Sequence, residues 1–166
     1  MLPTTEGSTT SRVADAVTGG GNQSLFSGVN SSGVLFFEGS FDNYTSTYQA
    51  ISLSDGIGNV VRFFTNNTTQ LKTGVFDAAT WKWQYSITMD VKTTFKAAIR
   101  WDGTTSELYI NGVEQTGATD QTTFILSGLD RLSFTSEVGS GNFYGKTKAV
   151  AVFDYLSDAE MVTLTT

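Results

Sequence analysis

Residues 94–115, TFKAAIRWDGTTSELYINGVEQ, constrain the fold more tightly than any other stretch of the chain. Phe95, Ala97, Ile99 and Trp101 fall on one face of an extended segment, and Lys96, Ala98, Arg100 and Asp102 on the other. A period of two is the pattern of a strand with one face in a core. Asp102-Gly103 and Asn111-Gly112 are both pairs that suit hairpin turns, because the primed turns need positive φ. Strand, turn, short strand, turn and strand in 22 residues specify antiparallel β architecture.

Several kinds of chemistry are excluded by composition. The 166 residues include no cysteine and no histidine. Disulfides, thiol nucleophiles and thiolate metal sites are therefore absent, as are imidazole bases, imidazole metal ligands and a serine triad built on histidine. Ten Lys and Arg against 16 Asp and Glu give a net charge of −6. A nucleic-acid surface needs clustered cations to displace counterions, and these few are scattered, so nucleic acid is not expected as a partner. No apolar run approaches the ~20 residues that cross a bilayer, so no membrane insertion is expected.

The remaining segments extend the β pattern. Residues 1–21, rich in Thr, Ser and Gly, read as a linker or extended opening segment. Leu2-Pro3-Thr4-Thr5 reads as the interior of a longer protein. Residues 22–166 read as one domain. The apolar run 33–41 predicts a strand covered on both faces. Further strands are expected at 49–54, 59–65, 70–76, 81–89, 124–126, 131–135 and 146–153, separated by turn residues. In 81–89 the alternation places Trp81, Trp83, Tyr85 and Ile87 on one face. Ser157-Asp158-Ala159-Glu160 is a capping box, with Leu156 and Met161 spaced for a hydrophobic staple, so one short helix is expected at the C-terminus.

Residues 94–115 resemble the strand-hairpin of concanavalin A-like lectin/glucanase domains of the laminin-G type, in which an apolar strand ends in Asp-Gly and is followed by Leu-Tyr-Ile-Asn-Gly. Residues 145–160, GKTKAVAVFDYLSDAE, are similar to the closing strand and helix of that family. The opening residues 2–5 and 11–15 are similar to the start of such domains in bacteriophage tail-fibre and virion surface proteins. The resemblance implies an all-β fold: a two-sheet antiparallel jelly-roll sandwich (concanavalin A-like) with one short C-terminal helix. It also implies a recognition module on an oligomeric fibre in the virion, in contact with host cell-surface polysaccharide and with other virion proteins.

Glucanases of this fold carry Glu-x-Asp-x-x-Glu on one strand, which supplies nucleophile and acid/base. That pattern is missing here: Glu38 and Asp42 lack a third carboxylate, and Glu107 and Glu137 stand alone. The expected function is therefore non-catalytic. Two groups are candidates for glycan contact. Trp81, Trp83 and Tyr85 could stack flat rings on sugars, although alternating aromatics more commonly pack between sheets. Asp42, Asn43 and Tyr44, with Asn142 and Tyr144, pair polar and aromatic groups beside turns, where loops on a rigid sandwich carry function but Asn and Asp also simply form turns. No cofactor is expected. Related domains often hold Ca²⁺, and Asp42, Asp55, Asp77 and Asp120 sit near predicted turns, but no EF-hand spacing links them.

The expectation is a carbohydrate-recognition or adhesion module of a phage virion. The alternatives are a structural decoration or fibre-assembly domain without a small ligand, and a bacterial adhesin or glycanase-appended module.

Overall fold

The computed structural model describes residues 26–29, 31–42, 48–67, 69–119 and 122–166. The opening segment 1–21, Asn43, Tyr44 and Asp120 lie outside the described residues.

The chain forms two five-stranded sheets, and every named pair of neighbouring strands is antiparallel. After a 3-10 turn at Ser27–Val29 come β1 (Gly33–Phe41), β2 (Gln49–Ser54), β3 (Val60–Thr65), β4 (Gln70–Asp77) and β5 (Thr80–Thr88). Next are β6 (Phe95–Trp101), β7 (Ser106–Ile110), β8 (Val113–Gln115), β9 (Arg131–Ser133) and β10 (Gly145–Phe153), then helix α1 (Asp158–Thr165). The first sheet has the order β10-β1-β6-β7-β8 and the second β5-β4-β3-β2-β9. The sandwich expected from the sequence is the observed architecture.

The alternation in β6 is realised. Phe95, Ala97, Ile99 and Trp101 enter the core between the sheets, with Leu108 and Ile110 of β7 beside them. Strand β1 is covered on both faces, as its apolar run requires. Leu35, Phe37 and Phe41 join the inter-sheet core, while Val34 and Phe36 join a second cluster with Ala98, Tyr109 and Met161 of α1.

The two turns of this unit differ. Asn111 (φ 48°) and Gly112 (φ 81°) form the expected two-residue primed turn. Asp102-Gly103 instead opens a four-residue connection between Trp101 and Ser106. There Asp102 Oδ1 accepts from the N–H groups of Thr104 (2.9 Å) and Thr105 (2.7 Å), an Asx-type turn in which the side chain replaces a backbone acceptor. Residues 124–126 are not a strand. Phe124 and Leu126 are buried, but their segment runs as an irregular connection held by Phe124 N–H to the Gly103 carbonyl (3.0 Å). Both side chains belong to the core, but the segment joins neither sheet.

The C-terminal signature is also realised. Ser157 N–H and its hydroxyl both donate to Glu160 Oε2, at 2.8 and 2.6 Å. Leu156 and Met161 share the second cluster, as the staple requires. The helix covers the outer face of the first sheet. Arg100, on that face, donates to the Leu156 carbonyl (2.7 Å) and to Asp158 (2.6 Å), and pairs with Glu107. Arg100 therefore ties the helix entrance to the sheet. Arg100→Met should leave the Leu156 carbonyl and Glu107 without their donor and destabilise the domain by about 1–3 kcal/mol. This would be read as a lower urea midpoint at unchanged slope.

Candidate functional site

The outer face of the first sheet lies under α1, whereas that of the second carries aromatic and charged side chains. Strand register gives its rows. Arg131, Ser54, Val60, Phe76 and Trp81 form one row, and Ser133, Ser52, Arg62, Gly74 and Gln84 the next. Ala50, Phe64, Lys72 and Ser86 form a third.

Trp81 belongs to this face because of a β-bulge. Val75 pairs with Trp83 but Phe76 pairs with Trp81, which leaves Lys82 as the extra residue in β5. A bulge inverts the alternation for everything beyond it. The expected stripe therefore divides. Trp83 is 1% exposed in the inter-sheet core, with Tyr85 and Ile87 packed at its margin. Trp81 points to the opposite face. The single-face reading of Trp81, Trp83 and Tyr85 is corrected accordingly, and Trp83 is core rather than a contact surface. Tyr85 donates its hydroxyl to the Thr116 carbonyl (2.5 Å).

The half-buried indole of Trp81 lies across Gly74, at 3.7 Å between centroids from the Phe76 ring. A Cβ on Gly74 would stand 1.9 Å from the indole, so only glycine leaves room for it. The turn just before Trp81 is strained. Ala78 (φ 49°) and Ala79 (φ 60°) both occupy the left-handed region in a two-residue hairpin, where Asn-Gly is the favoured pair. Their N–H groups are held by Asn59 Oδ1 (3.2 Å) and the Gly58 carbonyl (2.9 Å). Strain maintained by the surrounding structure is a feature of functional sites.

Under the aromatic surface lies Arg62, 8% exposed. Its guanidinium carbon is 4.3 Å from the Phe76 centroid, 4.9 Å from Phe64, 5.3 Å from Trp81 and 5.5 Å from Tyr48. Cations are attracted to such ring faces. Glu137, from the segment after β9, pairs with Arg62 Nη1 at 2.5 Å. Among the described residues, Arg62 Nε and the hydroxyls of Ser54 and Tyr48 have no hydrogen-bond partner, although each is buried. Burial pushes the Tyr48 phenol well above its ordinary pKa, against the opposing pull of Arg62. The floor of this face is thus polar, incompletely satisfied and walled by four rings. Sequence reasoning missed Arg62, Phe64, Phe76 and Glu137. The available signals were the outward positions of Arg62 and Phe64 in a strand where Val61 and Phe63 face inward.

The second predicted group sits at the other end of the sheet. Asp42 N–H donates to the Tyr144 carbonyl (2.7 Å), and Tyr144 N–H donates to Gln49 Oε1 (3.0 Å). This brings Asp42 and Tyr144 together where β2 begins, whereas Trp81 is level with the end of β2. Tyr144 is 40% exposed, and Asn142 and Asp42 are exposed. Asn43 and Tyr44 lie outside the described residues.

Two of the aspartates considered for Ca²⁺, Asp55 and Asp77, accept hydrogen bonds from the chain itself. Asp55 Oδ1 accepts from the N–H groups of Ile57, Gly58 and Asn59 at 2.8–3.0 Å, and Oδ2 from Asn59 Nδ2 at 2.8 Å. Asp77 Oδ2 accepts from Ile125 N–H (3.0 Å). Among the described residues, no group of three or more His, Cys, Asp or Glu is arranged to hold a metal ion.

No protein-family model matches the chain, and no curated protein matches it. Solved structures do. CBM40 of the Ruminococcus gnavus IT-sialidase, a carbohydrate-binding module bound to α2,3 sialyllactose, superposes with a TM-score of 0.64 at 14% identity, over 93% of this chain and 97% of that one. The leech intramolecular trans-sialidase gives 0.66 at 13%, over 92% of this chain and 26% of the enzyme. Sheep galectin-11 gives 0.50 at 8%, over 88% and 100%. At these identities the likeness concerns the fold: the protein is a lectin-like β-sandwich.

Two outcomes are expected. Gly74→Val should force Trp81 off the sheet, cost about 1–3 kcal/mol by overpacking and red-shift the tryptophan emission, because Trp83 and Trp101 stay buried. The second concerns pH. Burial raises the Asp55 pKa, but its three backbone N–H donors and the Asn59 amide outweigh that and hold it below the ordinary carboxylate value. Its contribution to stability is therefore complete above the unfolded-state pKa, about 3.9, and is lost as pH falls through the lower folded value. The melting temperature of Asp55→Asn should vary less with pH than that of the native chain over this range.

Proposed function

We propose that this domain is a non-catalytic glycan-binding module that seats saccharide rings on the outer face of its second sheet, against Trp81 and Phe76. One observation carries the reading: the bulge at Lys82 and the bare backbone of Gly74 place the Trp81 indole, paired with Phe76, on the sheet face that α1 does not cover. A half-buried indole offers a ring face against which the C–H groups of a sugar can stack. The solved structures with the same fold, among them a carbohydrate-binding module in complex with sialyllactose, support the same reading. Missing glucanase carboxylates in the sequence support binding without turnover.

The finer reading is a virion module, on a tail fibre or surface protein, that captures host cell-surface polysaccharide. Its support is the resemblance of residues 2–5 and 11–15 to the opening of such domains in those proteins. Weak single contacts would then be raised about 10²–10⁴-fold by repetition on an oligomeric fibre. A structural decoration or assembly role is favoured by the burial of Ser52, Ser54, Ser133 and Thr135 on the same face.

A glycan array probed with the domain in multivalent form separates these readings. Binding that Trp81→Ala weakens about tenfold or more, equal to 1.4 kcal/mol, is the expected outcome. Trp83→Phe should lower stability and leave the glycan preference unchanged. Silence of the native domain on neutral and acidic glycans alike would leave the assembly role standing.

A further inference from the structure

The centre of the proposed surface holds a guanidinium whose charge is already answered. Arg62 and Glu137 are in contact at 2.5 Å, with side chains 9% and 18% exposed. A pair this enclosed is little screened by solvent, and removal of one partner leaves the other uncompensated. Arg62 is also within 5.3 Å of the Trp81 centroid, so Glu137 lies one guanidinium away from the aromatic platform. The other cations of this side offer less. Arg131 is held at two points by Asp130, at 2.6 and 3.0 Å. Lys72 stands opposite Phe64, in the third row, and Lys82 is the bulge residue. Each brings a hydrated ammonium rather than the planar fork that grips a carboxylate. At the Trp81 end lie the carboxylates of Asp55, which holds its turn, and Asp77, which accepts from Ile125 N–H, and the chain as a whole carries a charge of −6.

A carboxylated sugar seated on Trp81 would therefore face the Glu137 carboxylate and find the central guanidinium engaged. A neutral sugar meets no such opposition. We infer that the surface selects neutral glycans and that Glu137 is the specificity-determining residue that excludes acidic ones. The inference rests on the glycan-binding reading above and names its substrate class. It also separates this chain from the module of like fold that was solved with sialyllactose.

The test measures affinity for matched pairs that share a neutral core, such as lactose and 3′-sialyllactose, or a neutral polysaccharide and its uronic-acid counterpart, at low and high salt. The native chain should bind the neutral member at least tenfold more tightly, with little response to salt. Glu137→Gln should narrow or reverse that ratio and make acidic binding salt-sensitive, with thermal melting as the check on folding. Preference of the native chain for acidic members would overturn the inference and leave the glycan-binding reading intact. Silence toward both members would overturn both. An unchanged ratio in folded Glu137→Gln would overturn the role of Glu137. Should that variant fail to fold, the native ratio and its salt response still decide the neutral preference.

Discussion

Packing of rings between the sheets is the constraint from which the rest follows. Phe37, at the middle of the interior strand β1, lies within 6.2 Å of Phe41, Phe63, Phe95 and Phe143, and Phe41 stacks on Phe95. These rings come from β1, β3, β6 and the segment before β10, so one cluster joins both sheets. With no cysteine to form a disulfide, that apolar contact provides the main cohesion. Once the inner faces are committed to each other, each sheet has one outer face left. The first sheet resolves this with α1, latched by Arg100. The second carries charge and aromatics on its outer face instead.

That difference creates the site. An arginine placed at the centre of a sheet face must be compensated, and here the compensation is aromatic as well as ionic. Four rings and one carboxylate surround the Arg62 guanidinium. Because Arg62 is fixed, the rings above it are fixed too, and a rigid aromatic surface loses little entropy when a ligand settles on it. The strained Ala78-Ala79 turn and the bulge that follows it sit at the same corner of the sheet. Local departures from ideal geometry therefore cluster where the sheet carries Trp81.

Much of the fold was legible because each strand's pattern agreed with its turn. The 94–115 unit, the doubly buried β1 and the capping box at Ser157 all had local signals matched to their tertiary role. Residues 124–126 misled because an apolar run marks burial, not hydrogen-bonded pairing. The site was less legible. The alternation rule assigns Trp81, Trp83 and Tyr85 to one face, and a single inserted residue, Lys82, breaks it. Bulges have no strong signature in a lone sequence, since any residue type can occupy the extra position. Arg62 and Glu137 are 75 residues apart, so only the folded chain brings them together.

The split of the aromatic stripe also explains how one short strand can serve two purposes. Without the bulge, Trp81 would follow Trp83 inward, and the inter-sheet space would have to accommodate a second indole. With it, Trp83 supplies core volume while Trp81 supplies surface, and the change of face occurs within two residues. Gly74 is the counterpart on the neighbouring strand, since any side chain there would occupy the space of the outward indole. Bulge and glycine are thus complementary: one aims the ring, and the other gives it a flat bed. Trp83 and Val75 form an ordinary inward pair on the same two strands. The outward placement of Trp81 is therefore a local construction laid over an otherwise regular sheet.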